Sequence, residues 1–342
     1  MKLLITGSFG NEDIGDDAML TMHLNNIYNQ GFKKCDIHLL GNKPKYMSWY
    51  FNHPIENCHS GFKHLDLNKI DRVLFTGGGT INTRKESRSL AMKHLIFKII
   101  SNHKLPVFMS GQTIGPLGKN KEHDDQARYI INYVDVLTVR DSYKSKYFID
   151  LIGAKPKKFY ETNDDAVNLP LIDTNYKYSD KNTIAFNISN YTSDTKEKMD
   201  MLIKICEKIL NKYKVLLIPH HPIDQIRLEM IRLKLNNDNC RLLDIKNLRG
   251  IDVKSIISKC KYGIGGRYHF LVFCISAGIP CVSMAMDEYS YIKQYGFLEK
   301  LGLEKLINND IIELENVKIP KIGETMSFKL FNEWINESRN KI

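Results

Sequence analysis

Short apolar runs alternate with amphipathic segments along most of the chain. Residues 2–6, KLLIT, form an apolar run of strand length that leads into a Gly-rich turn and then a segment with apolar positions on one helical face. The same order recurs at residues 72–100 and 106–133. Repeats of strand, turn and helix build a parallel sheet covered by helices, so the pattern predicts the α/β class.

The second half of the chain repeats this cycle after a break. Residues 169–181, LPLIDTNYKYSDK, show neither helical nor strand periodicity and contain Pro, Asp and Asn, which is typical of a linker. Strand and helix patterns resume at residues 183–188. We therefore expect two Rossmann-like domains facing a cleft, at residues 1–168 and 182–320.

The last segment, residues 325–342, has the apolar spacing of an amphipathic helix, with Phe328, Phe331 and Trp334 among its apolar positions. We expect it to pack back on the first domain. A chain of 342 residues is too long for a single hydrophobic core of ordinary size, so its length agrees with two domains.

Composition narrows the classes of function. The net charge is +10, from 49 Lys and Arg against 39 Asp and Glu, which favours an anionic substrate or contact with an anionic membrane. The lysines are spread over the chain, and no nucleic-acid recognition module with interleaved aromatics is present, so nucleic acid is not an expected partner. A homo-oligomer is compatible with the sequence.

We expect the protein to be cytoplasmic, and the inner face of the membrane is one location at which it could act. No run approaches the roughly 20 apolar residues of a transmembrane helix, and the start, MKLLITGSFGN, reaches Gly and Asn before a signal-peptide core could form. The seven cysteines are scattered without a CxxC pair, which indicates reduced thiols and predicts neither a disulfide framework nor a metal site.

The strongest candidate for chemistry is the stretch at residues 262–287, YGIGGRYHFLVFCISAGIPCVSMAMD. It reads as a strand, a Gly-Gly-Arg turn, an apolar helix and a second strand. Gly265 and Gly266 permit a sharp turn, and Arg267 and His269 follow at the start of the helix. A guanidinium, an imidazole and a helix N-terminus suit a phosphate or a carboxylate.

Other polar and Gly-rich segments follow predicted strands and are expected at the carboxyl edge of a sheet. Arg140 is one of them, with an ion pair to Asp141 or Asp164 as the open alternative. A metal at His220 and His221 is not expected, because further ligands at defined spacing are absent. The predicted substrate-binding residues are Gly10, Asn11, Asp16, Gly78, Gly79, Thr80, Gln112, Asp164, His220, His221, Gly265 and Gly266.

With these residues in view, the chain resembles the polysaccharide pyruvyl transferase family. The motifs that carry the resemblance are GNEDIGDDAM at 10–19, FTGGGTI at 75–81, GQTIGP at 111–116, VRDSYKSKYF at 139–148 with TNDDA at 162–166, and GGRYHFLVFCISAGIP at 265–280. The resemblance implies a glycosyltransferase-B-like fold, with the first domain on the acceptor side and the second on the donor side. It also implies Arg140, Arg267 and His269 as catalytic residues of the donor site.

The activity implied by the resemblance is transfer from phosphoenolpyruvate to a pair of sugar hydroxyls on a cell-surface polysaccharide or its lipid-linked precursor, without a cofactor. The product would be a pyruvate ketal, with release of phosphate. Two other classes stay open at this point. A glycosyltransferase or sugar-nucleotide epimerase would use the same two-domain fold with a nucleotide sugar. A non-catalytic anion or glycan binder would keep the glycines and arginines without turnover.

Overall fold

A computed structural model of the chain describes residues 1–83, 88–141, 143–189, 193–308, 314 and 316–339. The chain divides into two compact units. Unit 1 comprises Met1–Glu12, Met19–Asp165 and Glu324–Ile342, and unit 2 comprises Asp13–Ala18 and Ala166–Gly323.

Strands and helices follow each other in the order that the apolar pattern predicts. The strands are β1 (Leu3–Thr6), β2 (Ile37–Leu40), β3 (Cys58–His59), β4 (Arg72–Phe75), β5 (Gly78–Ile81), β6 (Val107–Ile114), β7 (Val136–Val139), β8 (Phe159–Glu161), β9 (Thr183–Asn187), β10 (Lys214–Leu217), β11 (Cys240–Leu242), β12 (Tyr262–Gly265) and β13 (Cys281–Ser283). The helices are α1 (Ile14–Asn29), α2 (Pro44–Phe51), α3 (Arg88–Asn102), α4 (Lys121–Tyr133), α5 (Ser145–Leu151), α6 (Lys196–Leu210), α7 (Pro222–Leu235), α8 (Gly250–Ser258), α9 (Tyr268–Ser276), α10 (Glu288–Glu299) and α11 (Met326–Arg339).

Each unit is built on one parallel sheet. In unit 1 the spatial order is β3-β2-β1-β4-β6-β7-β8, with β5 beside β6, and in unit 2 it is β11-β10-β9-β12-β13. Every pairing described between these strands is parallel. The predicted α/β class with parallel sheets is therefore confirmed.

The core of unit 1 lies under β1, β2 and β6, and helix α11 closes one side of it. Phe331 and Trp334 of α11 pack against Phe108 of β6, with ring centroids 5.4 and 5.7 Å apart. The Arg72 guanidinium lies 4.3 Å from the centre of the Trp334 ring and donates a hydrogen bond to the Trp334 carbonyl oxygen. The last helix is thus held by apolar burial and by a cation–π contact.

In unit 2, the strand and helix that carry the predicted Gly-Gly-Arg turn lie deep inside. All four residues of β12 are buried, and helix α9 is buried from Tyr268 to Ile275. A helix that is apolar nearly all round has to be covered on all sides, which explains its sequence. This burial gives Arg267 and His269, at the start of α9, a fixed support.

From the sequence, a strand is predicted at residues 106–110 and an irregular segment at residues 43–65, and both predictions are wrong. Strand β6 continues to Ile114, because β5 supplies backbone partners for the Gly-rich segment, pairing Gly78 with Gln112. Residues 43–65 contain helix α2 and the edge strand β3. Among the described residues, no helix combines the length and apolarity that crossing a bilayer requires.

Candidate functional site

Arg267 is the N-cap residue of α9, and its guanidinium is held by a buried carboxylate. Its Nε donates to Oδ2 of Asp224 at 3.0 Å, and its Nη2 donates to Oδ1 at 2.6 Å. Asp224 lies in the first turn of α7 and is fully buried. Two parallel N–H···O bonds fix both the position and the plane of the guanidinium.

A second carboxylate, that of Asp13, approaches the same guanidinium. Nη1 of Arg267 lies 3.5 Å from Oδ2 of Asp13, while Oδ1 accepts from the backbone N–H groups of Gly15 and Asp16. Asp13 therefore caps the start of α1 as well as facing Arg267. Burial lowers the pKa of Arg267, but Asp224 and Asp13 raise it by more, so the group stays charged.

The same arrangement lowers the pKa of Asp13. Burial raises it, but Arg267 and the nearby histidines lower it by more, with His269 the largest contributor among them. Asp13 is thus held as a carboxylate under ordinary conditions.

His269, two residues after Arg267, is 7% exposed and packs against the start of α1. Its Nδ1 lies 3.7 Å from Oδ1 of Asp16. A Cβ atom added to Gly15 would lie 2.1 Å from both Cγ and Nδ1 of the imidazole. The absence of a side chain at Gly15 is therefore what leaves room for the ring.

Residues 13–18 reach this place through contacts within unit 2. The backbone N–H of Ile14 donates to the carbonyl oxygen of His220 at 2.9 Å, and a Cβ on Gly250 would lie 2.9 Å from Cβ of Ala18. The first domain was predicted to run without interruption through these residues. The structure instead groups them with the second sheet and its helices.

The two histidines predicted to bind substrate differ from each other. His220 is fully buried, with its ring against Phe270 and Phe273 at 5.8 and 5.4 Å between centroids. Within the described part of the chain, neither of its ring nitrogens has a hydrogen-bond partner. Burial lowers its pKa to about 3, so the ring is neutral. His221 is the N-cap of α7, and its Nδ1 accepts from the N–H of Ile223.

The glycines before Arg267 serve the turn itself. A Cβ on Gly265 would lie 2.2 Å from the ring of Phe270, so the strand and the first turn of α9 pack closely there. Gly266 accepts at its carbonyl oxygen from Gln294 Nε2, and the N–H of Arg267 donates to Oδ1 of Asn187. The turn is thereby fixed from two sides.

The charges around Arg267 differ from the cationic pocket that the sequence predicts. Asp224 neutralises the guanidinium, and Asp13 and Asp16 add two further carboxylates. Ligand atoms of Asp13, Asp16 and His269 lie within 4.8 Å of one another, a spacing from which a metal ion could be held. Arg267 beside Asp13 already places a positive charge there, which opposes a divalent cation.

Arg140, the third predicted catalytic residue, belongs to unit 1. It is 2% exposed, and its Nη1 donates to Oδ2 of the fully buried Asp164 at 2.6 Å. Its Nε donates to Oγ1 of Thr113 at 3.1 Å. Of the two ion-pair partners that the sequence left open, Asp141 and Asp164, the structure places Asp164 against the guanidinium.

Gln112 and Thr80 form a buried hydrogen-bond network in unit 1. Thr80 Oγ1 donates to Oε1 of Gln112 at 3.1 Å, and Gln112 Nε2 donates to the carbonyl oxygens of Thr76 and Ser110. Gln112 is fully buried. These contacts join the residue after β4 to strands β5 and β6 and account for both side chains structurally.

Of the remaining predicted residues of unit 1, two are glycines at tight backbone positions. Gly10 and Gly78 have φ of +77° and +130°, where a side chain would be strained. Gly79 follows in β5, and Asn11 accepts at Oδ1 from Nδ2 of Asn42 at 2.6 Å.

Sequence reasoning missed Asp13, Gly15, Asp224 and Asn187. Asp13 and Gly15 are inside the motif GNEDIGDDAM, of which sequence reasoning selected Gly10, Asn11 and Asp16. Asp224 looks like an acidic residue in a helix first turn, a common position that carries no sign of a partner. Asn187 ends a buried strand, which is a signal for a sheet-edge contact only once the strand order is known.

These features define a class of protein. Two parallel-sheet α/β units with polar residues at strand ends form a glycosyltransferase-B-like fold. A UDP-GlcNAc 2-epimerase of Methanocaldococcus jannaschii, solved in complex with UDP-GlcNAc and UDP, superposes with a TM-score of 0.61 at 13% identity, over 98% of this chain and 100% of that one. The UDP-GlcNAc 2-epimerase of Neisseria meningitidis bound to UDP-GlcNAc gives 0.57 at 13%, over 98% and 100%. At such identity the likeness shows the fold alone.

The family follows from the sequence. The family model described as polysaccharide pyruvyl transferase matches residues 13–288. The chain belongs to this family, and the resemblance drawn from its motifs is confirmed. Among curated proteins, none matches the chain by sequence.

Proposed function

We propose that this protein transfers the enolpyruvyl group of phosphoenolpyruvate to two hydroxyls of a sugar and releases phosphate. The acceptor would be a cell-surface polysaccharide or its lipid-linked precursor. The observation that carries the proposal is the meeting of Arg267 and His269 with the first turn of α1, inside the region that matches the family. Both side chains are positioned by packing and by charge before any ligand binds.

The proposed reaction balances without a cofactor. The methylene carbon of phosphoenolpyruvate gains a proton and becomes a methyl group, which makes the neighbouring carbon electrophilic. One sugar hydroxyl attacks that carbon, the C–O bond to phosphate breaks, and the second hydroxyl closes the ketal ring. The two sugar hydroxyls lose two protons in total. One balances the proton gained by the new methyl group, and the other leaves with the phosphate.

We assign the proton transfer to His269 and the phosphate contact to Arg267. The Asp16 carboxylate lies 3.7 Å from Nδ1 of the His269 imidazole. It is therefore placed to assist when the imidazole takes up or gives up a proton. A positioned acid or base of this kind contributes typically about 10²–10⁴-fold. The anionic groups of the donor would compete with Asp13 for the Nη1 edge of Arg267, while Asp224 keeps the other edge in place.

Donor binding can be tested before the acceptor is known. Thermal unfolding of the full chain is followed with phosphoenolpyruvate, inorganic phosphate or UDP-GlcNAc, each with and without EDTA. A ligand at a hundred times its dissociation constant adds about 2.7 kcal/mol of stability. We expect phosphoenolpyruvate to stabilise the protein in EDTA as well. Stabilisation by UDP-GlcNAc alone would contradict the donor assignment.

Catalysis is tested by phosphate release and by mass spectrometry of aryl glycosides for the pyruvyl increment. His269→Gln and Arg267→Lys should each lose most turnover while the far-UV circular dichroism stays unchanged. Lysine at position 267 keeps the positive charge but not the two-pronged geometry of the guanidinium. His94→Gln, a partly exposed histidine of α3, is the matched control and should turn over normally. Arg140→Lys tests the third predicted residue separately. Full activity in both the His269 and Arg267 variants would refute the site.

A further inference from the structure

The outward face of helix α7 is apolar. Pro222, Ile226, Met230 and Leu233 are exposed and recur every three or four residues, so they lie on one side of the helix. Ile226, Met230 and Leu233 are 66, 51 and 61% exposed. We call these four residues the α7 stripe. The opposite side of α7 is buried in the core of unit 2, so the helix has two apolar faces, and among the described residues only one of these faces is covered.

The neighbouring helix α6 has the usual pattern. Its exposed residues include Glu197, Lys204, Glu207 and Lys208, with Met201 as the apolar exception at 36% exposure. Scattered apolar side chains on a surface are normal, whereas a continuous line of them marks an interaction site. The α7 stripe is such a line, and Met201 is on the helix that packs beside it.

Charges of both signs lie next to the α7 stripe. Glu229 pairs with Arg232 at 2.6 Å, and Asp200 of α6 pairs with Lys234 at 3.5 Å, while Arg227 donates to Oγ of Ser193 at 2.8 Å. In a protein with a net charge of +10, most of the surface would repel an identical molecule. A face with both signs of charge around an apolar line is complementary to itself, whereas an anionic membrane selects unbalanced lysines and arginines.

We propose that the α7 stripe is the contact surface for a second copy of this chain. In a two-fold dimer both subunits use the same patch. If residue i of the first subunit contacts residue j of the second, then residue j of the first also contacts residue i of the second. Antiparallel α7 helices would place Ile226 of each subunit near Leu233 of its partner, with Met230 near the axis. This inference does not depend on the proposed enzymatic function.

The size of the stripe sets the expected strength. Its four residues span about 16 Å of helix at 1.5 Å per residue. A standard stable interface buries about 800 Å² on each partner, more than one helix face provides. We therefore expect a dimer that dissociates on dilution.

Sedimentation velocity of the full chain over a range of concentrations tests the proposal. We expect the wild type to shift from monomer to dimer as concentration rises, and Met230→Glu to remain monomeric. Met92→Glu is the matched control, because Met92 is equally an exposed methionine on a helix, at 57% exposure in α3 of unit 1. It should dimerise like the wild type, and thermal unfolding of all three should show that they are folded.

The position of the axis has its own test. Met230→Cys should give a disulfide-linked dimer under mild oxidation, and Met92→Cys should not. A wild type that is monomeric throughout, or a dimer that Met230→Glu leaves intact, would overturn the proposal. Binding of the monomeric wild type to phosphatidylglycerol vesicles, lost in Met230→Glu, would also overturn it and assign the stripe to a membrane.

Discussion

Replacement of Gly15 by alanine is the most direct test of how the site is built. The new Cβ would lie 2.1 Å from Cγ and Nδ1 of His269, whereas real Cβ contacts essentially never fall below 3.0 Å. The imidazole, or the first turn of α1, must therefore retreat by about 1 Å, and a displacement of that size can cost about 10²-fold in rate. We expect kcat to fall by about this factor if His269 acts in proton transfer.

The effect on stability should be smaller than the effect on rate. Overpacking costs typically about 1–3 kcal/mol, and alanine recovers up to about 1 kcal/mol through its higher helix propensity. Urea unfolding and phosphate release from phosphoenolpyruvate would be measured on the same preparations. Gly61→Ala is the control, since Gly61 has φ of −176° and, in the part of the chain that the structure describes, no heavy atom lies within 4 Å of an added Cβ.

A double-mutant cycle separates this mechanism from a general loss of structure. If Gly15 acts through the imidazole, Gly15→Ala should cost nothing more in a His269→Ala background, because the group that it displaces is already gone. Equal losses in both backgrounds, or unchanged kcat in the single variant, would refute the reasoning.

Three further predictions concern the buried groups. Asp224→Asn should lower the melting temperature, because removing one partner of a buried ion pair costs about 3–5 kcal/mol. It should also raise KM for phosphoenolpyruvate, because Asp224 holds the Arg267 guanidinium in place. An unchanged KM would show that Arg267 does not need its carboxylate. His220, with its pKa lowered to about 3 against an ordinary 6.5, contributes stability that is fully present above pH 6.5 and declines as pH falls toward 3. Urea unfolding at several pH values should therefore show a shallower acid loss in His220→Leu, and parallel profiles would contradict this. Phe331→Ala should destabilise unit 1 by about 3–5 kcal/mol in thermal unfolding, and Phe328→Ala, at a partly exposed position, by less.

Local sequence signals account for most of the fold. The strands of both sheets are short apolar runs, and the helices between them have regular apolar spacing, so their order could be predicted from the chain alone. The extension of β6 through Gly111 could not, because it depends on pairing with β5 and on a glycine at φ of +58°. A Gly-Gln-Thr segment reads as a turn until its distant partner is known.

The candidate site, like the fold, could be predicted from the sequence only in part. Arg267 and His269 could be chosen because a Gly-Gly turn and a helix start are visible within a few residues. Their partners are remote: Asp224 precedes Arg267 by 43 positions and Asp13 by 254. An ion pair between such residues depends on the folded chain path, which apolar periodicity does not reveal.

The division of α1 between the two units has a consequence for protein engineering. Residues 13–18 belong to unit 2, although more than 140 residues of unit 1 separate them from the rest of it. A fragment that starts at Ala166 would lack Asp13 and Gly15, the carboxylate facing Arg267 and the glycine beneath the imidazole. Chimaeras that exchange the C-terminal half between homologues should therefore take the first turn of α1 from the same parent.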